Sequence, residues 1–421
     1  MTVTFFETSG YDKIKHMKHF TGFNLRLYTD IRFGKDTEKE AGRMIRKHGG
    51  NRVLLVYGGG SVKKSGLYDR VINTLKDEGL YFMEMSGVQP NPRRSLVEKY
   101  IKIAQDDKID FLLAVGGGSV IDTAKTIALA LANEGEYWKF FSGTEPEKMA
   151  PVGTIVTISA SGSETSRGVV IIDDTDTGSK RSLNWDCCRP VFSIMNPELT
   201  YPVSAYQTAA GAVDIVAHTV SRYFTRDNPL SSLCDEFAEG LMRTAIKYGP
   251  IALAEPNDYE ARAELMMAGT FSHNDLTCIG RVGPRGGEHA LEHQISAHYD
   301  TAHGAGLAVI MPAWLKYIAD NGSEASVSRV AQFGVKVFGV KVGADNSPEN
   351  TRAVAIAGIE AFKTWIRSIG MPLTLAEMGI PKADLLSIIE RAVNANKGKI
   401  AGYIELDEKA ISAIYASIIG E

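Results

Sequence analysis

The chain has 421 residues, 44% hydrophobic and 23% charged, with a net charge of −4. This is the composition of a globular protein of two or three domains with a large core, and it excludes a nucleic-acid partner held by bulk charge. No run reaches the roughly 18 apolar residues of a membrane span, no signal-peptide pattern opens the chain, and the four cysteines form no CxxC pair, so a reduced, cytoplasmic setting is expected.

In chain order, FNLRLYTDIRF (23–33) reads as an extended ribbon whose edge could pair with a second subunit. RVLLVY (52–57), LYFMEM (80–85) and DFLLAV (110–115) read as strands, separated by helix-like segments that include 95–107 and 119–132. Further strands are expected at 153–158, 168–173 and 191–196. Strand, glycine turn, helix, repeated, is the pattern of a parallel sheet covered on both faces. After Pro202 the texture changes to long amphipathic stretches at 204–224, 229–247, 258–279 and 284–299, with Gly249–Pro250 read as a helix stop. The expected architecture is therefore an α/β domain over 1–203 and an all-helical domain over 204–421.

AVGGGSVIDTAK (114–125) sets Gly116, Gly117 and Gly118 between a buried strand and a helix, where close backbone approach and free N–H groups suit an anion. Ser119 is expected to cap that helix, with Asp122 and Lys125 on one face. A tight turn without a ligand would carry the same glycines. YGGGSVKKSG (57–66) offers Gly59, Gly60 and Ser61, with Lys63 and Lys64 close behind, where NAD enzymes commonly place a carboxylate. That chemistry favours the 2′-phosphate of NADP(H). TISASGSETS (157–166) packs small hydroxyl residues after a strand and could line a cofactor or be an ordinary serine-rich loop.

Four of the nine histidines fall between Gly286 and Gly304. Asp214 and His218 stand i, i+4 on an expected helix, about 6 Å apart along its axis, and His289 and His293 repeat that spacing. His303 would lie about 21 Å from His289 on an unbroken helix. The two can meet only if the helix ends between them, and Asp300, Thr301, Gly304 and Gly306 supply the breaking chemistry. Asp214, His218, His289 and His303 would then give one oxygen and three imidazoles to a divalent metal, Fe(II) or Zn(II). His298 falls on the opposite side of the helix from His289, and His16, His19, His48 and His273 read as ordinary polar or core residues.

GGGSVKK, GGGSVIDTAK, TISASGSE, DIVAH and EHALEHQISAHYDTAHGAGLA together resemble the iron-containing alcohol dehydrogenases, in particular the butanol dehydrogenase and aldehyde reductase branch. The resemblance implies a Rossmann-like domain followed by a helical one, the architecture shared with dehydroquinate synthase. It implies that Asp214, His218, His289 and His303 hold the metal and that His293 stands unligated beside nicotinamide and substrate. Gly116, Gly117, Gly118, Ser119 and Asp122 would form the pyrophosphate turn. Thr157 and Ser161 would lie near the cofactor, Lys180 at a cofactor ribose and Leu199 over the cofactor. Residues 1–20 look like an extension with no assigned role, and TISAS departs from the family's commoner TTAGT.

The implied reaction moves hydride between a nicotinamide and an alcohol or aldehyde whose oxygen is activated by the metal, with His293 relaying the proton near neutral pH. A polyol or dehydroquinate-synthase-like enzyme of the same superfamily is the nearest alternative, and a metal-dependent hydrolase or a non-catalytic binding protein the more distant ones. Few cations in the metal segments argue for a small uncharged substrate. Arg281 and Arg285, just before the histidine block, are the residues able to overturn that expectation.

Overall fold

RVLLVY and DFLLAV are apolar at successive positions, so each needs cover on both sides of its sheet. In the computed structural model, which describes residues 23–226, 232–281, 283–342 and 347–420, they form two central strands. The chain runs through β1 (Asp30–Phe33), β2 (Arg52–Tyr57), β3 (Tyr81–Met85), β4 (Phe111–Gly116) and β5 (Val152–Val156). A hairpin of β6 (Gly168–Ile172) and β7 (Lys180–Asn184) precedes β8 (Phe192–Met195). Six strands make one sheet in the order β1-β8-β5-β4-β2-β3, every pair parallel. The helices of this half are α1 (Ala41–Lys47), α2 (Ser61–Lys64), α3 (Leu67–Asp77), α4 (Arg94–Asp106) and α5 (Gly118–Ala132).

Alternation along the strands feeds two layers. Leu54, Val56, Leu112 and Ala114 pack with Val97 of α4 and Ile121, Ala124 and Ile127 of α5. Val53, Leu55, Leu113 and Val115 face the other way, onto Ile45 of α1 and Val71 and Leu75 of α3. With all six strands parallel, their carboxyl ends open on one edge, where ligands of such sheets bind.

Three local expectations are revised. Only Asp30–Phe33 of the 23–33 ribbon is strand, as the outer neighbour of β8. The 168–173 run does not join the sheet: β5 pairs directly with β8, and β6 turns back antiparallel onto β7. Helix α5 starts at Gly118 with Gly117 in the capping position, so Ser119 lies inside the first turn and caps nothing.

From Ala205 onward the chain is helical: α6 (Ala205–Tyr223), α7 (Ser232–Ala254), α8 (Tyr259–His273), α9 (Glu288–Tyr299), α10 (His303–Asn321), α11 (Glu324–Phe338), α12 (Pro348–Ser368), α13 (Leu385–Ala395) and α14 (Glu408–Ser417). They share one apolar core running from Ala209 to Ile418. A small ribbon of β9 (Lys399–Ile400) and β10 (Leu406–Asp407) interrupts them, which helical periodicity did not announce. Gly249–Pro250 does not stop α7, which continues through Pro250 to Ala254. Proline removes the N–H that would serve the Ile246 carbonyl. The Trp365 indole of α12 donates to that carbonyl at 3.1 Å, so the defect is repaired from a neighbouring helix.

All four cysteines are free thiols. Among the described residues no helix is long and apolar enough to cross a membrane. His16 and His19, with the rest of the N-terminal extension, lie outside the described residues.

Candidate active site

Helix α6 crosses the carboxyl edge of the sheet and presents Asp214 and His218 one turn apart, with His218 Nε2 3.4 Å from Asp214 Oδ1. Helix α9 brings His289 to the same point, its ring stacked 4.8 Å from that of His218. The helix then breaks. Asp300 adopts left-handed backbone at φ 51°, and α10 starts at His303. Asn91 and Arg93 of the sheet half hold the Asp300 carboxylate at 3.0 and 3.2 Å, which fixes the turn. His303 thereby comes back to 5.3 Å from His289, ring to ring.

Ligand atoms of Asp214, His289 and His303 lie within 4.8 Å of one another. Asp214 Oδ1 and His289 Nε2 are buried without a hydrogen-bond partner, and unpartnered buried polar atoms are costly unless something completes them. An oxygen and three imidazole nitrogens, with no thiolate, fit a divalent Fe or Zn ion. Burial holds His218 well below the usual histidine range, in the neutral form that ligates.

Behind these groups stand two carboxylates that the sequence reading passed over. Glu292 is fully buried and accepts from His303 Nδ1, leaving Nε2 for the site. Glu288, also fully buried, bonds the Ser221 hydroxyl and lies 3.0 Å from His289 Nδ1, which is itself 2.9 Å from Ser221 Oγ. Against the upward push of burial, His303, Lys180 and His293 hold the Glu292 carboxyl down at about 2, so it is anionic. Carboxylate–imidazole pairs of this kind orient metal ligands and raise their basicity. Glu292→Gln is expected to weaken metal affinity about 10- to 100-fold with the helix content intact; competition titration against a chelator measures this.

These residues form the floor of a cavity of about 760 Å³ that continues along the carboxyl edge to Gly117, Gly118, Ser119, Asp122, Ser161 and Lys180. A Cβ on Gly118 would collide with the Ser161 side chain, so the glycine turn and the serine loop approach as closely as glycine allows. Asp122 spends both oxygens on the scaffold, accepting from Ser163 Oγ at 2.5 Å and the Val170 N–H at 2.9 Å. Lys180 is half-buried and donates to Ser296 Oγ at 2.6 Å. Gly59, Gly60 and Ser61 follow β2, Gly116 ends β4, Thr157 follows β5, and Leu199 lies beyond β8. All six are outside the cavity wall, but they stand at the ends of neighbouring strands along the same edge.

His293 lines the cavity with its ring 5.5 Å from that of His303. Its expected titration near neutral pH is revised: burial, then Lys180 and His303, push it well below the usual range, so it rests as a neutral imidazole. His298 belongs to neither cluster of closely spaced ligand atoms, Asp214, His289 and His303 or Glu292, His293 and His303. His273, read as an ordinary residue, is half-buried on the cavity wall with Nδ1 2.7 Å from the Ser161 carbonyl and its ring 4.3 Å from that of His218. Only the packing of α8 against α6 could have revealed it. Of the two arginines held in reserve, Arg281 is turned away into a pair with Asp235, while Arg285 lines the cavity together with Arg222.

Two family profiles match the chain, "Iron-containing alcohol dehydrogenase" over residues 29–197 and "Fe-containing alcohol dehydrogenase family, C-terminal" over residues 208–419. The chain belongs to the iron-containing alcohol dehydrogenase family. It is similar to an NADH-dependent butanol dehydrogenase A of Clostridium acetobutylicum, 36% identical over 93% of this chain and 98% of that one. An NADPH-dependent aldehyde reductase of Escherichia coli is 34% identical over 88% and 92%. The crystal structure of an NADH-dependent butanol dehydrogenase A from Thermotoga maritima superposes with a TM-score of 0.88 at 35% identity, covering 96% and 100%. This iron-containing alcohol dehydrogenase is accordingly a metal-dependent oxidoreductase of alcohols and aldehydes that uses a nicotinamide cofactor.

Proposed function

We propose that this dehydrogenase interconverts short primary alcohols and aldehydes with NADP(H), and that Asp214, His218, His289 and His303 hold its metal. The carrying observation is the pair of orphaned buried atoms, Asp214 Oδ1 and His289 Nε2, at the floor of the cavity. When bound, the divalent metal supplies Lewis acidity toward the substrate oxygen, and the nicotinamide supplies or accepts hydride.

The chain's residues do the rest. Gly117, Gly118 and Ser119 offer the start of α5 to the pyrophosphate, in the way helix N-termini bind anions. Lys180, fixed by Ser296, reaches the ribose end. His293, neutral at rest, accepts the proton released when alcohol is oxidised and returns it when aldehyde is reduced. His293→Ala is expected to keep metal and nucleotide bound while lowering turnover about 10²- to 10⁴-fold. Unchanged turnover across pH would remove His293 from the reaction.

Preference for NADP(H) is supported by the absence of any carboxylate from Gly58 to Ser61 and by Lys64 behind that turn. Lys63 contributes less, since Glu84 lies 3.8 Å from its ammonium and Tyr68 lies under it. The named relatives include both NADH- and NADPH-dependent enzymes. Fluorescence titration tests the reading: NADPH should bind at least about tenfold tighter than NADH, and equal affinity would refute the preference. Binding of neither nucleotide would favour a hydrolase. A homodimer through the outer side of β1 is supported by the exposure of Ile31 and Phe33 there, and a cytoplasmic setting by the four free thiols.

A further inference from the structure

Arginines crowd the end of α6 and the segment leading into α9. Most are neutralised. Arg189 and Arg167 reach Asp275 Oδ2 at 2.6 and 3.1 Å, and Arg281 and Arg329 share Asp235. Arg222 and Arg285 differ: among the described residues neither has a carboxylate within ion-pair distance. Arg222 is only 7% exposed, donates through Nη1 to the His218 carbonyl at 2.7 Å, and leaves Nε buried without a partner. Arg285 is exposed and directs Nη1 to Cys278 Sγ at 2.7 Å. Both line the cavity that contains the four metal-site residues.

A buried cation without a counter-charge is costly, and guanidinium pairs are suited to binding planar or tetrahedral oxyanions in two-pronged fashion. Resting on the dehydrogenase reading above, we infer that the substrate is a short aldehyde or alcohol bearing a terminal oxyanion, which Arg222 and Arg285 hold beyond the metal site. It replaces the uncharged substrate expected from the sequence. Position along α6 separates this anion from those of the cofactor. Gly211 meets the serine loop beside the glycine turn, where a Cβ would strike the Ser159 carbonyl. Asp214 and His218 follow, and Arg222 comes last, about 16 Å along the axis from Gly211. Arg222 stands one turn past His218, about 6 Å.

The chemistry is that of the family reaction. The carbonyl carbon takes hydride from the nicotinamide, its oxygen takes a proton, and the oxyanion leaves unchanged. Arg222 and Arg285 are specificity residues that fix which end of the substrate meets the metal.

The test compares matched aldehydes on metal-loaded enzyme with saturating NADPH or NADH: propanal and butanal against 3-oxopropanoate (a carboxylate) and phosphonoacetaldehyde (a phosphonate). The anionic members should exceed the neutral ones in kcat/KM by about 100-fold, and the better of the two names the oxyanion. Arg285→Gln and Arg285→Glu should reduce that ratio by at least about tenfold, with the reversed charge reducing it more; Arg222→Gln should do the same if it folds. Butanal turned over as well as either anionic aldehyde, with the ratio unmoved by both Arg285 variants, overturns the inference and leaves the dehydrogenase reading standing. Calorimetry reads the contact without turnover: 3-hydroxypropanoate should bind at least about tenfold tighter than propan-1-ol. Should no aldehyde be reduced at all, the dehydrogenase reading falls, and the calorimetric comparison still decides whether an anion is held.

Discussion

His303→Ala yields a folded protein that has lost its metal. His303 lines an open cavity, so truncation enlarges a space already reached by solvent and leaves no sealed void in the core. Its role is set by three independent constraints: the Asp300 turn, the bond to Glu292, and the 5.3 Å approach to His289. Removing one of four ligands should raise the metal dissociation constant by more than about 100-fold, or about 2.7 kcal/mol, and abolish turnover. Chelator competition and metal analysis after dialysis measure this, with far-UV circular dichroism unchanged. His298→Ala, five residues away in the same histidine-rich block, should shift affinity less than about twofold. A His303→Ala protein that retains one tightly held metal per chain removes His303 from the site.

Gly304→Ala should be the most damaging single-methyl change. Helices α6 and α10 cross so closely that a Cβ at Gly304 would lie 2.6 Å from the Ala210 carbonyl carbon, and nearer still to its oxygen. The obstacle is backbone, which no rotamer change relieves, and both helices carry proposed ligands: Asp214 one turn beyond Ala210, His303 directly before the glycine. Overpacking of this kind costs about 3 kcal/mol, and the two helices can separate only by pulling the ligands apart. The melting midpoint should fall by about 3 °C or more, and metal affinity should fall with it. Gly240→Ala in α7 is the control. The nearest atom to its added Cβ is the far end of Arg243 at 4.0 Å, and higher helix propensity should stabilise by up to about 1 kcal/mol. Equal melting of the Gly304→Ala and wild-type proteins would mean that α6 and α10 do not meet as described.

Periodicity carried most of the architecture. The buried runs at 52–57 and 110–115 have no polar face, so they had to be covered on both sides, and the parallel sheet follows. The proposed metal ligands could be grouped from the sequence because i, i+4 spacing survives folding, and because Asp300 and Gly304 are the residues a chain reversal needs. The misses share another cause: each depends on a partner distant in sequence. Pro250 stays helical only because Trp365 supplies a donor. The 168–173 strand leaves the sheet because β8 occupies its place beside β5. His273 and Arg222 matter only once α8 and α6 are packed. Glu288 and Glu292 were nearer to hand. Each immediately precedes a histidine of the EHALEH repeat, and four-residue spacing puts both on one side of α9, where an acidic partner for an imidazole could have been sought.

Nicotinamide-dependent aldehyde reduction is proposed to run through one metal held by Asp214, His218, His289 and His303. Its most direct test is an anaerobic back-titration of metal-stripped protein with Fe(II) or Zn(II), following NADPH oxidation at saturating aldehyde. The activity of the wild-type protein should rise linearly and break at one metal per chain, and the Asp214→Ala protein should gain none. Full activity in the stripped protein before any metal is added would show that reduction does not need the metal.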